Sequence, residues 1–186
     1  MAQLITKDEI LFGYKLKPEV LKCSVQDFID EVVRVSDLLM IIPDCLMAVM
    51  ELETAGTFDP SITNSLGYTG LIQFGKPAAR SVGTTRASLR AMDAKTQLTY
   101  VYKYFKPHTG KLKSFSDIYL AVFFPAALGK PDEWVLHTRR LTPQRIALWN
   151  PLFDENKDQK IQVKEIKNKL AKRIPNSHKW ILNGFN

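Results

Sequence analysis

The stretch Glu53-Thr54-Ala55-Gly56-Thr57-Phe58-Asp59-Pro60, followed by Gly67-Tyr68-Thr69-Gly70-Leu71-Ile72-Gln73-Phe74, decides how this chain is read. Just upstream, Pro43 suits the first turn of a helix whose apolar face is Leu46, Val49 and Met50. A helix turns about 100° per residue, so Glu53 falls about 20° from the direction of Leu46. The same phase points Glu51 well away, and a solvated Glu51 is expected. Burial on an apolar face disfavours the charged carboxylate, and the negative end of the helix dipole pushes the same way. Such a carboxyl stays protonated near neutral pH and can donate its proton. The competing reading is a surface glutamate at a frayed helix end.

Outward from this stretch the pattern is mostly helical. Residues 1–22 read as an irregular N-terminal arm with Gly13 and Pro18. Ser24-Val25-Gln26-Asp27 resembles a capping box and opens a helix with Val25, Phe28, Ile29, Val32 and Val33 at helical spacing. Gly56, Pro60, Gly67 and Gly70 punctuate a turn-rich region read as holding a small hairpin. Thr85 suits a cap before a short helix around Leu89. Leu98, Val101, Tyr102 and Phe105 mark another helix, and Phe115 to Phe124 is apolar nearly all round. The expected class is α+β, mostly α, in three segments: the arm at 1–22, a main domain at 23–150, and residues 151–186 packed on that domain.

The order Glu53-Thr54, Phe58-Asp59-Pro60, Gly67-Tyr68-Thr69-Gly70-Leu71-Ile72-Gln73-Phe74 resembles the soluble lytic transglycosylase and goose-type lysozyme family, nearest to its phage-encoded members. The resemblance runs from about Pro43 to Phe124. It implies a lysozyme-like helical domain with a small β-element, acting on the MurNAc–GlcNAc β-1,4 bond of bacterial peptidoglycan. It also implies that Glu53 is the general acid and later the base. Thr54 stands where the family has Ser, and its hydroxyl would bond the carboxyl or the sugar. Gln73 would reach a sugar amide and Phe74 would line the groove; the bland readings are a loop amide and a core ring. The family's Tyr-Asn pair is missing from Ala121-Val122-Phe123-Phe124-Pro125. Tyr102 or Tyr119 is then the candidate hydroxyl, each with a core tyrosine as its alternative.

No second carboxylate stands out: Asp59 before Pro60 reads as a turn residue, and Asp93 reads as a cap. One acid without a partner favours internal attack by the substrate's own 6-hydroxyl, giving a 1,6-anhydro end. Hydrolysis and a non-catalytic wall-binding or virion module remain the alternatives. No cofactor is expected for catalysis.

Near the C-terminus, Asp154, Asn156, Asp158, Lys160 (through its carbonyl), Gln162 and Glu165 fall at the ligand positions of an EF-hand loop. Ile161 fits the usual apolar position. Gln159 stands where the sharp turn wants glycine and would have to be left-handed. A structural calcium site is one reading, and a degenerate loop capping the next helix is the other.

The composition is that of an ordinary globular chain: 186 residues, 45% apolar, 24% charged, net charge +7. The charge favours an anionic partner such as a cell wall polymer, nucleic acid or a membrane surface. Lysines 157, 160, 164, 167, 169, 172 and 179, with Arg173, make the tail basic, but only Trp180 and Phe185 accompany it. Nucleic acid is therefore not the expected partner. No apolar run approaches the roughly 18 residues of a membrane span. Cys23 and Cys45 read as reduced core thiols. The N-terminus lacks a secretory pattern, so a leaderless monomer is expected, either a phage lysin passing from host cytoplasm to the wall or a virion-associated protein.

Overall fold

The computed structural model describes residues 4–184. It is mostly helical and has no barrel. The chain divides into two compact units, 1–110 and 111–186. This division falls inside the expected 23–150 domain, at the Thr109-Gly110 turn. The N-terminal arm, of which residues 1–3 lie outside the described residues, is an integral part of the first unit. It buries Ile10, Leu11, Phe12 and Leu16, and the Leu11 N–H donates to Asp44 Oδ1 at 2.9 Å.

In the first unit, α1 (Pro18–Leu21) leads into α2 (Val25–Leu39). The expected cap at Ser24 is formed: its hydroxyl oxygen accepts the Asp27 N–H at 3.0 Å. One face of α2 buries Phe28, Ile29, Val32, Val35 and Leu39. It packs against α3 (Pro43–Glu53) and α6 (Ala94–Phe105). Helix α3 buries seven consecutive residues, Cys45 to Glu51, so it is covered on every side rather than on one stripe. Two short helices, α4 (Lys76–Ser81) and α5 (Arg86–Ala91), precede α6, which Asp93 caps by accepting the Thr96 N–H at 2.7 Å.

The expected small hairpin is present only as isolated bridges. Thr69 pairs with Thr63 on one side and with Phe74 on the other. With so little ladder, the 54–75 region needs another anchor, and Gln97 of α6 supplies it. Its buried amide accepts the Leu71 N–H at 2.6 Å and donates to the carbonyls of Pro60 at 2.8 Å and Leu89 at 2.9 Å. Gly70 lies against it with φ +85°, and a Cβ there would come within 2.3 Å of Gln97 Oε1. Only glycine meets both demands.

In the second unit, α7 (Phe115–Phe123) is buried on most faces and contacts α9 (Val163–Ala171) and the 3-10 segment Asn176–Leu182. Between them lie α8 (Pro143–Trp149) and the 154–165 loop, which joins the rest of the unit through a bridge between Val135 and Gln162. Cys23 is partly exposed and Cys45 buried, and neither forms a disulfide.

Replacing Gln97 with Leu leaves the Leu71 N–H and the Pro60 carbonyl without partners, at about 1–3 kcal/mol each, while the Leu89 carbonyl keeps the Met92 N–H. Urea titration of Gln97→Leu is expected to show a loss of about 2 kcal/mol or more. A loss under about 1 kcal/mol would mean that the turn region does not depend on this amide.

Candidate functional site

Glu53 is the last residue of α3, and the backbone turns sharply after it. Ala55 and Phe58 hold left-handed φ values of 51° and 56°, with Gly56 between them at 80°. Non-glycine residues reach this region at a cost of about 1 kcal/mol each. The turn is held by Thr54. Its hydroxyl donates to the Met50 carbonyl at 2.7 Å and its oxygen accepts the Phe58 N–H at 2.9 Å. The Phe58 ring is fully buried against Phe28, edge to face at 6.3 Å.

The half-buried Glu53 carboxyl is lifted from 4.5 to about 7 by loss of solvation. No ion pair reaches it among the described residues. Burial pushes the Tyr104 phenol upward, and the charge on Glu53 adds to it, so Tyr104 lies within electrostatic reach of the acid. The Tyr104 ring stands edge to face with Phe74 at 5.9 Å. Glu53, Tyr104 and the Thr69–Phe74 loop therefore form one neighbourhood, and Tyr104 is the member that the sequence reading missed. Its one early signal is a seven-residue spacing from Gln97 on the same helix.

Glu51 departs from expectation. It is buried and paired with Lys15 Nζ at 2.5 Å. The phase argument treated α3 as having one buried stripe, whereas the arm covers the face that Glu51 occupies. The two glutamates thus differ in electrostatic company: Glu51 has a cation beside it, and Glu53 has no ion-pair partner among the described residues.

The other expected site residues sort as follows. Thr54 makes no contact open to a sugar, because it is fully buried and its hydroxyl is committed to the Met50 and Phe58 backbone. Phe74 does not line a groove; it is a core ring, 1% exposed. Gln73 is half-buried with φ 51°, and its amide nitrogen donates to Gly70 at 3.1 Å and Ile62 at 3.4 Å. Its Oε1 accepts no hydrogen bond among the described residues. Tyr102 is two positions from Tyr104, about 200° around α6, and Lys106 lies over its ring at 5.8 Å. Tyr119 belongs to the second unit, buried and stacked on Phe123 at 5.6 Å. Asp59 accepts both the N–H and the hydroxyl of Ser61, as a turn residue does.

The 154–165 loop has the backbone expected of it: Gln159 is left-handed at φ 64°, and so is Lys157 at 60°. Its side-chain oxygens accept the loop's own N–H groups. Asp154 takes those of Asp158 and Gln159, Asn156 takes that of Asp158, and Asp158 takes that of Lys160. Glu165 accepts from Gln162 at 2.8 Å, completing a capping box on α9, and from Glu155 at 3.1 Å. Among the described residues, no three Asp, Glu, His or Cys side chains gather as a metal-holding group. The donor types and backbone suit calcium; to join them as a ligand, Glu165 would have to leave its two N–H partners.

Two measurements follow from this geometry. Because the folded pKa of Glu53 is raised, the folded state holds its proton between pH 4.5 and about 7, and stability falls as pH rises through that window. Above it the buried charge costs about 3–4 kcal/mol, at ~1.4 kcal/mol per pH unit over the rise from 4.5 to about 7. Glu53→Gln is expected to match the wild type in urea at pH 4 and to exceed it by that amount at pH 8; an equal difference at both pH values refutes the account. In the loop, Gln159→Gly is expected to gain about 0.5–1 kcal/mol by relieving the left-handed strain. Thermal melts in calcium and in chelator then read the cation: a shift that grows in the Gly variant supports a site, and no shift in either protein means a loop held by its own hydrogen bonds.

Compared with family models, curated proteins and solved structures, the chain finds no match, so its functional reading rests on the chemistry of the site itself.

Proposed function

We propose that this chain is a peptidoglycan lytic enzyme with a lysozyme-like catalytic unit, similar in mechanism to soluble lytic transglycosylases and goose-type lysozymes. One observation carries the reading: a desolvated glutamate at a helix end, with its pKa near 7 and no cation beside it, standing ahead of the ordered Phe-Asp-Pro and Gly-Leu-Ile-Gln motifs. A proton held at that pKa is available at neutral pH and readily given up.

Glu53 donates its proton to the glycosidic oxygen between MurNAc and GlcNAc as the C1–O bond breaks. The N-acetyl oxygen of MurNAc closes on C1 and stabilises the developing cation. The Glu53 carboxylate then removes the proton of the 6-hydroxyl as that oxygen attacks C1 and displaces the N-acetyl oxygen, leaving a 1,6-anhydro end, a restored N-acetyl group and a protonated acid. The absence of a second carboxylate partner for Glu53 among the described residues favours this route over a two-acid mechanism. Tyr104 shapes the acid's environment, and Gln73 offers Oε1 to the substrate. Where a calcium ion binds, Asp154, Asn156, Asp158, Gln162, Glu165 and the Lys160 carbonyl would hold it, and its contribution would be structural. The setting that fits is a phage lysin or a virion-associated lysin acting as a monomer on the bacterial wall. The buried Thr54 hydroxyl and the missing Tyr-Asn pair favour a second reading, a non-catalytic wall-binding module.

Clearing of purified wall suspensions separates the two. Glu53→Gln is expected to lose a hundredfold or more in rate, and the wild-type rate should fall as pH rises through about 7. Mass spectrometry of the fragments should find anhydro ends one water lighter than reducing ends. A wild type that binds wall without clearing it would establish the non-catalytic reading.

A further inference from the structure

The net charge is not spread over the chain. Residues 111–186 hold 14 Lys and Arg against seven Asp and Glu, while residues 1–110 hold 12 of each. The whole excess of +7 therefore belongs to the second unit. Part of it is neutralised locally, Lys167 by Asp132 and Lys172 by Glu155. Residues 134–153 contain three arginines and no acid at all. Arg139 and Arg140 stand exposed on the tight turn closed by the Thr138 N–H to the Leu141 carbonyl, and Arg145 is exposed on α8. No acid pairs with any of the three among the described residues.

The same segment exposes its largest apolar side chains. Ile146 and Ala147 turn α8 into the unit's core, which leaves Leu148 76%, Trp149 57% and Leu152 73% exposed. Arg145, Leu148, Trp149 and Leu152 are spaced i, i+3, i+4 and i+7. Arg145 lies over the Trp149 ring at 4.9 Å. Beside them is an open groove of about 720 Å³, lined by Thr142, Gln144, Arg145, Leu148, Pro151 and Asp154 among others. The groove thus holds one cation, Arg145, and one carboxylate, Asp154, whose oxygens accept the N–H groups of Asp158 and Gln159.

We infer that α8 and the turn before it form a docking surface for an anionic lipid bilayer. Exposed leucines and a tryptophan enter the interfacial region of a membrane, where an indole ring is at home, while flanking arginines meet lipid phosphates. Each basic residue near an anionic surface adds to the attraction, and salt weakens it. Charge complementarity selects this occupant: a protein partner for an apolar patch does not require three unpaired arginines on the same acid-free segment, and an anionic polymer alone does not require exposed leucines. The inference is independent of the lytic reading, because it uses no residue of the Glu53 neighbourhood.

The test is sedimentation of the full chain with vesicles of phosphatidylethanolamine and phosphatidylglycerol, against vesicles of phosphatidylcholine alone. Binding is expected only to the anionic vesicles, with a blue shift of tryptophan emission. The exposed substitutions Leu148→Ser with Leu152→Ser, and separately Trp149→Ala, should lower the partition by roughly tenfold or more. Replacing Arg139, Arg140 and Arg145 with Gln should lower it comparably and flatten its salt dependence, with unchanged thermal melts in every variant. Undiminished binding by the apolar variants would overturn the proposal in favour of the lysines of α9 alone. So would failure to bind either vesicle, or a loss of sedimentation with purified wall or nucleic acid that matched the loss on lipid.

Discussion

The buried amide of Gln97 is the constraint on which the candidate site depends. Between Thr54 and Gly75 the chain has almost no regular structure, yet much of it is buried. A buried irregular segment must find partners for its N–H and carbonyl groups, and three isolated residues in bridges cannot provide them. Gln97 takes two of these groups, from Pro60 and Leu71, and ties them to the Leu89 carbonyl of α5. Seven residues on, along the same face of α6, Tyr104 takes the edge of Phe74. The loop is thus laid along α6 with Leu71 at one end and Phe74 at the other, and Tyr104 is left within electrostatic reach of Glu53. Gly70 permits the close approach at the first of these contacts.

The chain makes two uses of carboxylates two residues apart. Glu51 faces the arm, where Lys15 supplies a cation at 2.5 Å, and its burial contributes to holding the arm on α3. Glu53 has no ion-pair partner among the described residues, and loss of solvation is what lifts its pKa. A residue kept for stability alone would resemble the first. Left-handed positions at Ala55, Phe58 and Gln73 follow Glu53, each at about 1 kcal/mol, and Phe12, Lys22, Met40, Lys157 and Gln159 are left-handed elsewhere. Strain and an uncompensated carboxyl occur together on the two segments that the sequence motifs single out.

What could be read from sequence was local. The caps at Ser24, Thr85 and Asp93 were legible because a short polar side chain three residues before a free N–H is a local arrangement. The left-handed Gln159 was legible because the loop's oxygen spacing fixes where the turn must fall. The position of Glu53 at the end of a helix was legible, but its helical phase was no guide to burial, because α3 is covered on every side and Glu51 is the more buried of the two. What failed were judgements about which side chain covers which. Helical phase cannot tell that a second segment lies over Glu51, nor that Thr54 turns its hydroxyl back onto Met50 and Phe58 instead of outward. Phe74 matched the motif but packs against Tyr104 in the core. Tyr104 itself sits between Lys103 and Phe105 with no motif around it, and it gains its role only once Gln97 has brought the loop to α6.

The 154–165 loop shows how a metal-like pattern can be maintained by ordinary hydrogen bonding. Oxygens spaced to converge on a cation are equally placed to accept the N–H groups that a tight, doubly left-handed turn directs inward. Glu165 accepts two more while capping α9, so the loop can hold this conformation through its own backbone. A cation would replace some of those bonds and would have to offset their loss, besides the repulsion of Lys157 and Lys160. For that reason the ligand spacing alone decides little here. The balance turns on Gln159, whose side chain forces a backbone cost that glycine would not, and on whether Glu165 gains more from a cation than from the two N–H groups it already holds.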